Sequence, residues 1–242
     1  MTTIAANLDG VQAQIAAACA RAGRSTSAVT LIAVSKTHPV ERVLEAAAAG
    51  LQHFGENRVE EAESKIAAAR AQTRLPLTWH MIGHIQSRKA KTVAPLFDVA
   101  QSVDSLKLAN KLAAAAGESG KTLDVLLEMN VSGEEAKDGF PAARWQQDAA
   151  LRAQLWAEVQ QIAALPGLRL RGLMTMAPIV EDAEQVRPVF ASLAALRTAL
   201  AESLRLDMPE LSMGMSDDFA VAIEEGATMV RIGRAIFGER EK

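Results

Sequence analysis

Lys36 stands at the end of an apolar, β-branched run, Val29-Thr30-Leu31-Ile32-Ala33-Val34-Ser35-Lys36, and Pro39 follows shortly after. Such a run reads as a strand buried on both faces; a proline closes it and suits the first turn of a helix. A lysine at the lip of a buried strand loses hydration, its pKa falls, and its neutral amine can attack a carbonyl. The same lysine can lay its stem along the strand ends and keep its ammonium in water, so this stretch alone leaves both readings open. Two turns near the C-terminus bear on the choice: Ser212-Met213-Gly214-Met215-Ser216-Asp217 and Arg231-Ile232-Gly233-Arg234-Ala235-Ile236-Phe237-Gly238. Their glycines let backbone N–H groups approach an anion, and helix starts favour negative charge, so together they read as a phosphate site. Ordinary turn chemistry, with Ser216 or Asp217 as an N-cap, explains one such turn without a ligand. A carbonyl compound with a phosphate tail, held by an imine at Lys36 and by N–H groups of the two turns, is pyridoxal 5′-phosphate (PLP). A Schiff-base sugar-phosphate aldolase would use similar parts, so the chemistry leaves both candidates.

These residues need a scaffold that brings distant turns together. Ile4, Leu8, Val11 and Ile15 mark one face of an N-terminal helix that Gly23 ends. Strand-like segments then alternate with helical ones: 29–34, 52–56, 79–82, 96–100, 123–131, 168–176, 210–213 and 228–232. The intervening helices include a basic one over 86–93, one capped by Asp104 through Ala116, one continuing to Leu165, and one over 182–204. Alternation on this scale predicts a parallel sheet, and eight units in about 250 residues suit a single α/β domain, a (β/α)8 TIM barrel with an extra N-terminal helix over 1–242. A doubly wound open sheet is the other arrangement such a pattern allows. In a barrel the working face lies at the strand C-termini. The residues to collect are therefore Lys36; Glu56 and Asn57; Gly83, His84 and Gln86; Ser102 and Asp104; Asn130 and Ser132; Met174 and Thr175; Ser212, Gly214 and Ser216; and Arg231, Gly233 and Arg234.

Composition excludes several classes. The 242 residues are 49% hydrophobic and 23% charged, with a net charge of −3. There is no basic field for nucleic acid or an anionic membrane, and no apolar run reaches the length of a membrane span. The single cysteine, Cys19, lies in an alanine-rich helical pattern and reads as packing, and no Cys/His cluster has metal-ligand spacing. The N-terminal residues lack the basic and apolar regions of a signal peptide, so a cytoplasmic protein is expected. No tyrosine occurs anywhere, which denies the chain a phenolic acid or base.

The segments Leu31–Lys36, Phe54–Asn57, Trp79–Gln86, Arg171–Met174, Leu211–Asp217 and Val230–Gly238 together resemble the pyridoxal phosphate homeostasis protein family, of the YggS/PROSC type. The match runs in order over nearly the whole chain. The resemblance implies a barrel like the N-terminal domain of alanine racemase, with PLP bound as a Schiff base on Lys36 and Arg231 facing the pyridine nitrogen. Ser212, Gly233 and Arg234 fall where the family holds the phosphate, the latter two through backbone N–H, and Asn57 and Met174 fall beside the cofactor ring. The segment Ala142–Trp156 is longer than the family has there, and His84 occupies a variable place.

An arginine stays charged and can only donate, so the ring nitrogen it faces is unprotonated and the electron sink is weakened. The resemblance adds that alanine racemase draws its second base, a tyrosine, from a partner's second domain. Lacking both, this chain is expected to be a monomeric PLP-binding protein of vitamin B6 and amino-acid homeostasis, with apo PLP enzymes as transient acceptors. A weak racemase or related PLP enzyme is the alternative. Among the remaining polar residues, Asn57 reads also as the start of its helix, His80 as a core histidine, Arg88, Lys89 and Lys91 as a solvated face, Met213, Met215 and Met229 as core filler, and Lys137 as solvated in a mobile loop.

Overall fold

A computed structural model describes residues 3–238. The chain opens with α1 (Ile4–Arg21), whose four spaced apolar residues are all buried. The Thr3 hydroxyl accepts from the Ala6 N–H at 3.2 Å. Gly23, at φ +63°, lets the Arg24 N–H return to the Cys19 carbonyl at 2.9 Å, so the left-handed stop lies where the glycine predicts it. Then follow β1 (Thr30–Val34), α2 (Val40–Ala48), β2 (His53–Glu56), α3 (Val59–Gln72), β3 (Thr78–Met81), α4 (Ala90–Leu96), β4 (Val99–Val103), α5 (Leu106–Glu118) and β5 (Leu123–Asn130). The second half comprises β6 (Phe140–Pro141), α6 (Ala149–Ala163), β7 (Leu168–Met174), α7 (Arg187–Leu204), β8 (Glu210–Ser212), α8 (Phe219–Glu224), β9 (Met229–Ile232) and α9 (Arg234–Phe237).

All barrel pairings are parallel. The ladder runs β4-β3-β2-β1-β9-β8-β7-β5, and the β4–β5 pairing closes it into an eight-stranded TIM barrel. The two-residue β6 only extends β5 outside the ring. Closure excludes the open sheet that the alternation also allowed. The reason is visible in the strands: Ala33, Phe54, Trp79, Ala100, Val125, Leu127, Leu173, Leu211 and Val230 pack outward under the helices. A separate cluster of Ile32, Val99, Leu126, Met174 and Met229 fills the barrel interior. Gly172 sits where β7 slips register against β5, and a Cβ there would lie 1.9 Å from the Glu210 carbonyl oxygen, so the β7–β8 approach requires glycine. No described helix is long and apolar enough to cross a membrane.

Several boundaries differ from the sequence pattern. The fourth strand is Val99–Val103, not 96–100, because α4 runs on through Pro95 to Leu96. A proline late in a short helix gives up a bond that only the preceding turn would use, so the helix tolerates it. Ser105, not Asp104, caps α5, its hydroxyl accepting from the Leu108 N–H at 3.3 Å. Asn57 caps nothing: α3 starts at Val59, and its N-cap position, Arg58, makes no side-chain capping bond. The helical sequence leading to Leu165 begins only at Ala149, where Asp148 accepts from two N–H groups, and the 142–148 segment is a loop.

Candidate functional site

At the end of β1 the backbone carrying Lys36 is held on every side. Lys36 itself is half-buried. The Ser35 hydroxyl donates to Glu56 at 2.6 Å, and Lys65 donates to the Ser35 carbonyl at 2.8 Å, to Glu56 at 2.7 Å and to Glu61 at 2.8 Å. Glu61 in turn accepts from the Thr37 N–H at 2.5 Å. Thr37 adopts φ +67°, a left-handed conformation that a β-branched residue takes only when its surroundings impose it. The turn that presents Lys36 is thus strained and braced by a buried lysine–glutamate hub. His38, two residues beyond Lys36, stacks on Phe237 at 4.9 Å between centroids and ties this turn to α9.

Strands β2 and β3 bring Asn57 and Gly83 into contact. A Cβ on Gly83 would lie 2.3 Å from the Asn57 carbonyl oxygen. The Asn57 side-chain oxygen is buried and has no partner among the described residues, a group that a ligand's donor would satisfy. Met174 is fully buried in the barrel interior, and the next residue, Thr175, turns its carbonyl to Arg231.

On the far side, Arg231 lies almost fully buried and donates to the Ser212 hydroxyl at 2.6 Å and to the Thr175 carbonyl at 2.8 Å. Burial lowers its pKa to about 10, while Glu128 and Asp218 hold it up, so it keeps its charge at neutral pH. The Ser212 hydroxyl is engaged between Arg231 and Gln101. Gly214, at φ +92°, has its Cα packed on α8, where a Cβ would sit 2.7 Å from Ala222 and 2.8 Å from Phe219. Asp218 closes the following turn by accepting from the Met215 N–H at 2.6 Å. The N–H groups of Ser216, Asp217 and Gly233, and the Ser216 hydroxyl, have no acceptor among the described residues. Arg234 is exposed and pairs with Asp217, linking the two turns. The structure therefore gathers Ser216, Gly233 and Arg234 at one rim of the barrel, and places Ser212, Met174 and Arg231 below it.

Three contributors escape the sequence pattern. Lys65 sits in a charged helix, and nothing local marks it as buried. Gln101 and Glu128 do carry a signal, a polar residue inside Val-Ala-Gln-Ser-Val and inside Val-Leu-Leu-Glu-Met. Glu128 is 4% exposed and makes no hydrogen bond or ion pair with a described residue. Burial, then Asp138, raise its pKa to about 7, against the opposing pull of Arg231. His84, between Asp104 at 3.4 Å and Asp138 at 3.2 Å, completes this rim. Lys137 is half-buried rather than solvated: it pairs with Glu134 and donates to the Met176 carbonyl at 3.1 Å.

Glu128 makes stability pH-dependent. Because its folded-state pKa is raised, the native state keeps a proton that the unfolded chain has already released between the ordinary glutamate range and about 7. Stability therefore falls as pH rises through that window, by on the order of 3 kcal/mol. Glu128→Gln is expected to unfold in urea like wild type at about pH 5 and to exceed it by that order at about pH 8. Equal stability at both pH values would refute the assignment.

Known proteins place this geometry in context. The chain matches the family described as alanine racemase, N-terminal domain, over residues 6–241. It is 45% identical over 242 residues to the pyridoxal phosphate homeostasis protein of Pseudomonas aeruginosa, covering 100% of this chain and 97% of that one. The protein of the same name from Vibrio cholerae is 42% identical over 242 residues, covering 100% and 98%. Among solved structures, PipY of Synechococcus elongatus with PLP bound is similar at a TM-score of 0.81 and 37% identity, over 98% of this chain and 100% of that one. An eight-stranded barrel with these motifs in this order, shared at such identity over its full length, means that the chain belongs to the pyridoxal phosphate homeostasis protein family.

Proposed function

We propose that this chain binds PLP as a Schiff base on Lys36 and serves vitamin B6 and amino-acid homeostasis, with no strong turnover of its own. It would do so as a monomeric cytoplasmic barrel domain, passing the cofactor transiently to apo PLP enzymes. The observation that carries the reading is the pairing of opposites across the barrel mouth. A braced lysine stands just after β1, and N–H groups without acceptors among the described residues gather on the turns after β8 and β9, above an anchored arginine. The residues fit the group chemically. Ser216, Gly233 and Arg234 suit a phosphate. The orphaned Asn57 oxygen suits a donor beside the ring, and Arg231 suits an unprotonated ring nitrogen. Gly214 and Met174 would shape the phosphate turn and the floor. PLP supplies an electrophilic aldehyde and an electron sink when bound. Arg231, able only to donate, weakens that sink, and the chain has no tyrosine to act as a second base.

The solved PipY with PLP bound and the relatives' shared name support the reading. Incubating the full-length protein with PLP, reducing with borohydride and mapping the peptides tests it. The expected result is a visible absorption band and one adduct, on Lys36. A colourless protein with no adduct would overturn the reading. Glu128, titrating near neutrality, is the one observation that favours the weak-enzyme alternative. Rapid loss of optical activity from single amino-acid enantiomers would establish that alternative instead.

A further inference from the structure

A continuous line of polar side chains runs through the barrel interior from Arg231 and Ser212 to Gln101, His80 and His53, and the proposed function uses none of the last three. Arg231 Nη1 donates to Ser212 Oγ at 2.6 Å, and Ser212 Oγ donates to Gln101 Oε1 at 2.6 Å. Gln101 Nε2 lies 3.0 Å from His80 Nδ1, and His80 Nε2 lies 3.0 Å from His53 Nδ1. Ser212, Gln101 and His80 are essentially fully buried, out of reach of bulk solvent, so each depends on its neighbours in the line for a partner. Chemistry sets the direction of this line. A guanidinium has only donors, so Ser212 must accept from it and is free to donate onward. Its hydroxyl proton then requires an oxygen on Gln101, which turns the amide nitrogen toward His80. The second amide N–H points at Met229 Sδ, 3.6 Å away. A flipped amide would set its oxygen against that sulfur and leave the Ser212 proton without an acceptor. His80 must therefore accept at Nδ1 and carry its proton on Nε2, which it donates to a bare His53 Nδ1. His80 stays neutral, its pKa pushed down to about 3 by burial.

We propose that Gln101 is a positioning residue for Arg231, acting through Ser212 in a one-way hydrogen-bond chain that terminates on His80 and His53. Each donor in a chain of one polarity strengthens the next. The guanidinium is thereby locked in one orientation at the floor of the site, with Thr175 holding its other arm. The effect on bound cofactor rests on the reading of Arg231 given above; the polarity of the chain does not.

Histidine nitrogen NMR on the full-length protein without cofactor tests the polarity. The expected result is Nε2–H with a bare Nδ1 on both His80 and His53, and a protonated Nδ1 on His80 would overturn the proposal. Exchange of the Arg231 side-chain N–H protons tests the coupling. Gln101→Met and Ser212→Ala are each expected to speed it roughly tenfold or more, with β8 backbone amide exchange unchanged, whereas Ser212→Thr retains slow exchange. Should Gln101→Met fail to fold, Ser212→Ala decides. Unchanged Arg231 exchange in the folded cutting variants would overturn the proposal. With PLP bound, the same two variants are expected to alter the visible band. A wild type that takes up no PLP would defeat the cofactor reading, while both NMR results still decide the chain.

Discussion

Lys36→Ala is expected to leave a folded, colourless protein whose affinity for PLP is weaker by roughly a hundredfold or more, about 2.7 kcal/mol. The remaining contacts, on the turns after β8 and β9 and on Arg231, would still hold the phosphate and ring, but without the covalent bond the aldehyde end is free to leave. The fold should survive because the bonds that hold this turn come from Ser35, Thr37, Glu61 and Lys65. Lys36→Arg should lose the cofactor equally, since a guanidinium keeps the charge but is no nucleophile. Equilibrium dialysis with spectra and borohydride adduct mapping are the measurements. Wild-type affinity in Lys36→Ala, or an adduct that moves intact to Lys137, would show that Lys36 is not the tether.

Lys65→Met is expected to cost about 3–5 kcal/mol of folding stability, the range for removing one partner of a buried ion pair. The side chains of Lys65 and Glu56 are 5% and 0% exposed, and the second Glu56 oxygen already lacks a partner among the described residues. Burial raises the Glu56 pKa and Lys65 opposes that rise; without Lys65 the carboxyl rises further and the native state takes up a proton. The variant should therefore lose stability as pH rises above the ordinary glutamate range, and regain part of it in acid. Adding Glu56→Gln should recover much of the loss, because a neutral amide does not need the cation. Glu61 would also be freed from Lys65, and with it the strained Thr37, so Lys65→Met should weaken PLP binding as well as stability. Urea unfolding of the single and double variants decides, and a single variant within about 0.5 kcal/mol of wild type would refute the hub.

The helix and strand pattern was legible in the sequence wherever burial was periodic. Ile4, Leu8, Val11 and Ile15 are buried as their spacing requires, and eight strand segments form the ring. Legibility failed at α4 and β4, where Pro95 misleads because the helix ends too soon to suffer from it. It failed at Asn57, whose capping pattern is local while its neighbour Gly83 comes from the next strand. Lys137 is misread for the same reason, since its acceptor at Met176 lies on another loop.

The sequence by itself determined the alternating α/β class, the motif set and the position of Lys36, because alternation, glycine turns and apolar runs are properties of neighbouring residues, while closure of the sheet into a barrel was decided by the β4–β5 pairing. Only the tertiary structure decided what those residues touch. Closing β4 onto β5 brings Gln101 to Ser212 and Glu128 toward Arg231, and packing α3 against β2 buries Lys65 against Glu56. The first two join residues far apart in the chain and the third joins residues nine apart across a strand-to-helix turn; burial then sets their strength by stripping away water. A charged or polar residue in sequence carries no mark of which partner the fold will supply.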